Sequence, residues 1–148
     1  MSSEEFFSRL KPEVDKRRGA IEAENNRFEA NRAFVESQIS ELLPIAQEYE
    51  RGCHDNGLSA EVEHGSQTLE FRLKQMDGGI RSLLVAPNDE TGKLEFANYY
   101  PSRAGSSGSV GRSADQYDQG NWDPAIYHAE LQKMIATFVQ TSKAHGGL

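Results

Sequence analysis

A seven-residue repeat of apolar side chains runs through the first third of the chain and limits what that third can fold into. Its members are Phe7, Val14, Ile21, Phe28, Val35, Leu42 and Tyr49. Because seven residues make nearly two turns of an α-helix, these side chains form one continuous line on one side of a helix, which we call the seam. The spacing predicts a helical segment over residues 1–52.

The seam has a second apolar row only at its two ends. A two-stranded coiled coil needs apolar residues between the seam members, yet Arg17 and Glu24 occupy the middle positions. Apolar residues widen the stripe near Leu10 and again between residues 34 and 46. We therefore expect two docking segments joined by a solvated span over residues 15–32.

Caps and prolines set the expected limits of this segment. Ser2 followed by Glu5 has the spacing of a capping box, which predicts a helix start there. Pro12 could begin a second helix after a short one over residues 3–10, or it could kink a single helix. A break is favoured here, because proline removes a backbone hydrogen bond and is common in the first turn of a helix. Pro44 should bend the last turns, and Gly52 should end them.

Between residues 58 and 100 apolar side chains recur at every second residue, which predicts β-strands. Turn signals lie at Gly65 and Ser66, at residues 77–79 and at residues 88–92. The pattern predicts a four-stranded antiparallel meander.

If the first two connections between strands are two-residue turns, they fix the register of the strands and so decide on which face of the sheet each side chain lies. The residues that this register places on the core face are Leu58, Val62, Leu69, Phe71, Leu73, Leu84 and Phe96. Leu83, Val85 and Tyr99 would then lie on the opposite face. Together with Trp122 they form a predicted contact surface, because exposed aromatic and aliphatic groups are typical of interfaces.

The remainder of the chain divides into a loop and a helix. Residues 101–121 are rich in Gly and Ser and predict a flexible loop. Its stretch from Gly105 to Arg112 could hold a phosphate through backbone amides, but it lacks the sequence of a phosphate loop, and a linker is favoured. Asp123 followed by Pro124 predicts a helix over residues 123–145. The whole chain, 1–148, is expected to form a single α+β domain, with the last helix packed on the sheet.

Charge and composition narrow the class of protein. The net charge of −7 repels phosphate backbones, so nucleic acid is disfavoured as a partner. Cys53 is the single cysteine, which excludes an intramolecular disulfide. The acidic start differs from a signal peptide, and no run approaches the roughly 20 apolar residues of a membrane span. These features predict a cytoplasmic protein that does not enter a membrane.

No motif predicts catalysis, a cofactor or a metal. Cys53, His54 and Asp55 are potential ligands, but adjacent residues rarely converge on one ion. Cys53 with His64 or His128 gives only an unspecific nucleophile and base. We therefore expect no catalytic residues, no metal site and no cofactor.

The function expected from these patterns is a non-catalytic protein–protein interaction or regulatory module. It would bind a protein partner or form a homo-oligomer through the helix and the open sheet face. The candidate contact residues are Phe7, Val14, Ile21 and Phe28 on the helix, and Leu83, Val85, Tyr99 and Trp122 on the sheet side.

Two alternatives remain open at this stage. One is a small enzyme or ligand binder with a site between the sheet and the last helix, which would use His64, Tyr100 or Trp122. The other is an acidic chaperone or immunity-type protein with an obligate client.

Overall fold

The computed structural model describes residues 2–101 and 108–148. The elements in chain order are α1 (Ser3–Asp55), β1 (Ser59–His64), β2 (Leu69–Lys74), β3 (Ile80–Pro87), β4 (Leu94–Tyr100), β5 (Ser109–Tyr117), α2 (Pro124–Gln140) and a short 3-10 helix, η1 (Ser142–His145). The strands form one antiparallel sheet in the order β1-β2-β3-β4-β5. The predicted α+β fold is confirmed, but the sheet has five strands instead of four.

Helix α1 runs without a break for 53 residues, or about 80 Å. The Ser2 hydroxyl accepts a hydrogen bond from the Glu5 amide at 3.2 Å, so the helix begins at the predicted cap. The break expected at Pro12 is wrong. Pro12 and Pro44 both lie inside the helix and are exposed. Because they face water, the carbonyls that lose their amide partner can be hydrated. The helix also continues past Gly52 to Asp55.

The second half of α1 and the whole of α2 cover the same face of the sheet. The buried residues of α1 include Val35, Ile39, Leu42 and Ala46. Those of α2 are Tyr127, Leu131, Met134 and Phe138. They form one core with the inward side chains of the sheet, among them Leu69, Phe71, Leu73 and Phe96, which were predicted to lie there.

The face predicted for β3 is wrong. Two-residue turns would have placed Leu84 inward, but Lys74 pairs with Ile80 across a five-residue connection, and Phe71 lies opposite Leu83. A one-residue change in register moves every side chain of a strand to the other face. Leu83 and Val85 are therefore fully buried in the core, and Leu84 lies on the outer face.

Strand β5 occupies the region that was predicted to be a flexible loop. It pairs with β4 from Tyr100 opposite Ser109 to Leu94 opposite Tyr117, with an irregularity between Glu95 and Ala97. Residues 102–107 of that predicted loop lie outside the described residues.

The last helix ends earlier than predicted. The Asp123 carboxylate accepts a hydrogen bond from the Ala125 amide at 2.8 Å, which confirms the predicted start of α2. At the other end the hydroxyls of Thr141 and Ser142 donate to the carbonyls of Thr137 and Val139. Side chains that satisfy the last carbonyls favour the end of a helix. α2 therefore stops at Gln140, and η1 follows.

The loop between β3 and β4 makes the first contact of α1 with the rest of the domain. Gly92 has a φ of +74°, and a Cβ atom built there would lie 2.6 Å from the carbonyl oxygen of Phe28. The Asn31 side chain donates to the Thr91 carbonyl at 3.0 Å. Only glycine can supply this backbone angle and this close approach together.

Replacement of Gly92 by alanine should therefore destabilise the domain. We expect Gly92→Ala to lower the free energy of unfolding by about 3 kcal/mol, from the strained angle and the clash with Phe28. Gly57→Ala is the matched control, because Gly57 has a φ of +77° and open space around its Cβ position. It should cost about 1 kcal/mol. Urea unfolding measures both, and equal losses would show that α1 does not press on Gly92.

Candidate interaction surface

The first half of α1 extends beyond the sheet and carries the seam into solvent. We call residues 3–27 of α1 the arm, because Phe28 is where the helix meets the β3–β4 loop. Val14 is half-buried, and the other side chains of the arm are exposed. At 1.5 Å per residue the arm is about 37 Å long.

The exposed apolar side chains of the arm are large. Phe7 is 63% exposed, Ile21 58%, Phe6 50% and Leu10 38%. The rings of Phe6 and Phe7 touch edge to face, with centroids 5.2 Å apart. The seam drifts by about 20° per seven residues, so between Phe7 and Phe28 it stays within about 60° of one side of the helix, and the apolar side of the arm continues into the side that meets the domain at Phe28. This stripe is an unpartnered extension of the core-facing surface.

The charges of the arm are mixed but unevenly distributed. Residues 3–15 contain four acidic and two basic side chains, whereas residues 16–27 contain four basic and two acidic ones. Arg17 and Glu13 form an ion pair at 3.1 Å, with both side chains exposed. An exposed pair of this kind stabilises a helix only slightly.

The four residues predicted as a contact surface on the sheet do not lie together. Leu83 and Val85 are in the core, as described above. Tyr99 lies on the outer face and is 43% exposed. Trp122 is half-buried, packs against Phe96 and Tyr117, and donates its ring N–H to Gln38 Oε1 at 2.9 Å. Of the predicted sheet residues, Tyr99 alone remains available for contact.

The outer face of the sheet is polar over most of its area. Arg72 bridges Glu63, at 2.8 Å, and Glu70. These charge-assisted hydrogen bonds raise the pKa of Arg72. Ile80, Tyr99 and Val110 form a small exposed apolar group at one end of this face.

A groove of about 630 Å³ lies between α2 and the end of α1. Its apolar lining includes Leu58, Ile135 and Val139. At one side the Tyr49 hydroxyl lies 3.0 Å from His128 Nδ1 and accepts a hydrogen bond from Gln132 Nε2 at 2.8 Å. Sequence analysis missed this trio. His128 and Gln132 are four residues apart and so share a face of α2, but only the packing of the two helices brings Tyr49 to them.

Cys53 also lines the groove, and its environment is that of a structural thiol. It is 4% exposed, and burial raises the pKa of the thiol. A nucleophilic cysteine needs a lowered pKa and access to solvent. Cys53 therefore lacks both properties of a reactive cysteine.

The residues of the alternative enzyme site lie in three separate places. His64 is at the end of β1, beside Glu36 and Ser40 of α1. The Tyr100 ring lies under the Arg81 guanidinium, 5.0 Å from ring centroid to Cζ. Trp122 packs on Phe96. Between them the interface of sheet and α2 is filled by buried side chains, including Phe71 and Phe138.

No group of three or more histidine, cysteine or acidic side chains in the described part of the chain is arranged to hold a metal ion. His54 Nε2 lies 2.8 Å from the Ala60 carbonyl oxygen, so this ring serves the junction between α1 and β1. None of the helices in residues 2–101 and 108–148 combines the length and the apolar character needed to cross a bilayer.

A polar cluster is buried at the end of the sheet near η1. Gln75 is 2% exposed, and neither atom of its side-chain amide has a hydrogen-bond partner among the described residues. Arg81, diagonally across from it on β3, has an unpartnered Nε, and burial lowers the pKa of its guanidinium. Asp77 and His145 close this end with a contact of 3.0 Å.

Comparison with known proteins finds no match. No family model, no curated protein and no solved structure is similar to the chain. The function must therefore be argued from the surfaces described above.

The thiol of Cys53 should be slow to react while the protein is folded. We expect an aromatic disulfide reagent at pH 7.5 to label the native protein at least about tenfold more slowly than the protein unfolded in urea. Burial restricts access to the thiol, and its raised pKa lowers the fraction of thiolate. Rapid labelling of the folded protein at or below pH 7 would instead show an activated thiolate and favour the enzyme alternative.

Removal of the unpartnered amide should stabilise the fold. We expect Gln75→Met, which keeps the length of the side chain, to raise the free energy of unfolding by about 1 kcal/mol. Gln67→Met is the control, because Gln67 Oε1 accepts a hydrogen bond from Arg32 at 2.7 Å and its loss should be mildly destabilising. Denaturant unfolding decides: a less stable Gln75→Met variant would show that the amide is satisfied in solution.

Proposed function

We propose that this chain is a non-catalytic protein-interaction module that binds its partner through the arm of α1. The observation that carries the proposal is the exposed seam: Phe7 and Ile21 each keep more than half of their surface in solvent on a helix that projects from the domain. Exposed apolar surface of this size and continuity is typical of contact sites.

The arm is also a poor helix by itself, which supports a binding role. Pro12 inside a helix costs about 3 kcal/mol and Gly19 about 1 kcal/mol relative to alanine. Short helices in water are marginal without tertiary contacts. A partner that covers the seam would supply the missing contacts and hold the arm helical.

The other candidate functions receive less support. Cys53 has a raised pKa, and the residues of the alternative enzyme site are far apart in the fold. The groove beside Tyr49 has the size of a ligand site, but the hydrogen bonds of its polar trio are already made within the protein. We place the module in the cytoplasm, where a single unpaired thiol is stable.

Photo-crosslinking in the cells that make the protein tests this function. A benzophenone amino acid in place of Phe7 should give a discrete adduct with a partner protein. The same amino acid at Ala23, which lies on the opposite side of the helix, should give none. Ile21→Gln should abolish the adduct at position 7, because it removes an apolar contact of the seam.

Two matched controls make the outcome decisive. Ala23→Gln places the same amide on the opposite side of the arm, about 160° around the helix from Phe7, and should leave the adduct unchanged. Circular dichroism and urea unfolding should show the same domain stability for both variants. Equal adducts at positions 7 and 23, or none at either, would overturn the proposal.

A further inference from the structure

We propose that the partner of the arm is the arm of a second copy of this chain, which lies antiparallel to the first with the twofold axis between Asp15 and Lys16. The inference rests on the proposed function, because it names the occupant of the same seam. It follows from three properties of the arm: its charge distribution, the residues within its seam and the position of its first contact with the domain.

Charge favours the antiparallel orientation. The first half of the arm, residues 3–15, has a net charge of −2, and the second half, residues 16–27, has a net charge of +2. In an antiparallel pair each negative half lies along the positive half of the other copy. In a parallel pair each half lies along the half of the other copy that carries charge of the same sign, and the two halves repel each other.

The polar residues of the seam lead to the same orientation. Three residues after Val14 and Ile21, the positions that face a partner helix are occupied by Arg17 and Glu24. In a parallel pair each would meet its own copy across the seam, and like charges would be buried side by side.

Antiparallel pairing separates these like charges. About the proposed axis Leu10 lies level with Ile21 of the other copy, and Val14 lies level with Arg17. The aliphatic stem of an arginine can cover an apolar neighbour while its charge stays in water.

The domain itself fixes how far the arms can overlap. Phe28 touches Gly92 of the β3–β4 loop on the seam side, so that loop blocks the space beyond residue 27. When the N-terminal end of each arm reaches the β3–β4 loop of the other copy, the two arms overlap along their whole length. That register places Ser3 level with Phe28 and Glu4 level with Arg27, which adds an attractive pair at each end.

Cysteine crosslinking reads the orientation directly. In a Cys53→Ser background, one tagged chain carries Leu10→Cys and an untagged chain carries Ile21→Cys. After mixing and mild oxidation, an antiparallel pair gives disulfides only between the two different chains. A parallel pair gives disulfides only between identical chains, and that result would overturn the inference.

Charge exchange provides a second, independent readout. Arg17→Glu with Arg18→Glu makes both halves of the arm negative, and Glu13→Lys with Asp15→Lys makes both halves positive. Both variants lose the ion pair between Glu13 and Arg17. Each variant alone should self-associate at least about tenfold more weakly than the wild type, and an equimolar mixture should recover the affinity.

The failure of this inference is distinguishable from the failure of the proposed function. Light scattering after size exclusion should show a dimer at about 100 µM protein. A monomer at that concentration, together with a seam-dependent photo-adduct to a different protein, would overturn the self-pairing and leave the interaction module intact. Absence of both would overturn both.

Discussion

The fold depends on the burial of one side of α1 against one face of the sheet. Val35, Ile39, Leu42 and Ala46 are at most 3% exposed, and they pack against the inner side chains of the strands in one core. An antiparallel sheet with one apolar face is stable when a second layer covers that face. Helix α2 completes the layer, and the seam that supplies α1 with its core side continues past the edge of the sheet.

The arm and the buried part of α1 are therefore two parts of one continuous helix that lie in different environments. The apolar residues near Leu42 pack against the sheet, whereas those near Phe7 are exposed to solvent. One sequence pattern thus produces a core-facing surface at one end and an exposed apolar stripe at the other. Gly92 marks the boundary, because its lack of a side chain lets the β3–β4 loop lie against Phe28.

Much of this fold could be predicted from the sequence because the strongest local patterns agreed with the tertiary structure. The seam predicts α1, alternation predicts β1 to β4, and Asp123 predicts the start of α2. The proline at position 12 misled the prediction, since a water-facing proline is tolerated in a long helix. β5 was missed because most of its side chains, from Ser109 to Tyr117, are polar or small, so no apolar alternation marks the strand, which pairs with β4 along its length.

The exposed residues of the sheet could not be predicted reliably, because the face on which each β3 side chain lies depends on the length of one connection. The five residues from Gln75 to Gly79 include Gly78 at φ +91°, and their number is odd. Sequence alone offered two two-residue turns in the same stretch, Asp77-Gly78 and Gly78-Gly79, and both have the opposite parity. For the arm no such ambiguity exists, since helical spacing assigns Phe7 and Ile21 to one side without reference to any other element.

The absence of a joint between arm and core has a mechanical consequence. Residues 3–55 form one helix, so a force on the tip acts on the buried turns near Val35 as a torque on a lever. A flexible linker would absorb that force, whereas a continuous helix transmits it to the sheet. The continuous helix is also a spacer, because it alone sets the distance and the angle between the tip near Phe7 and the domain.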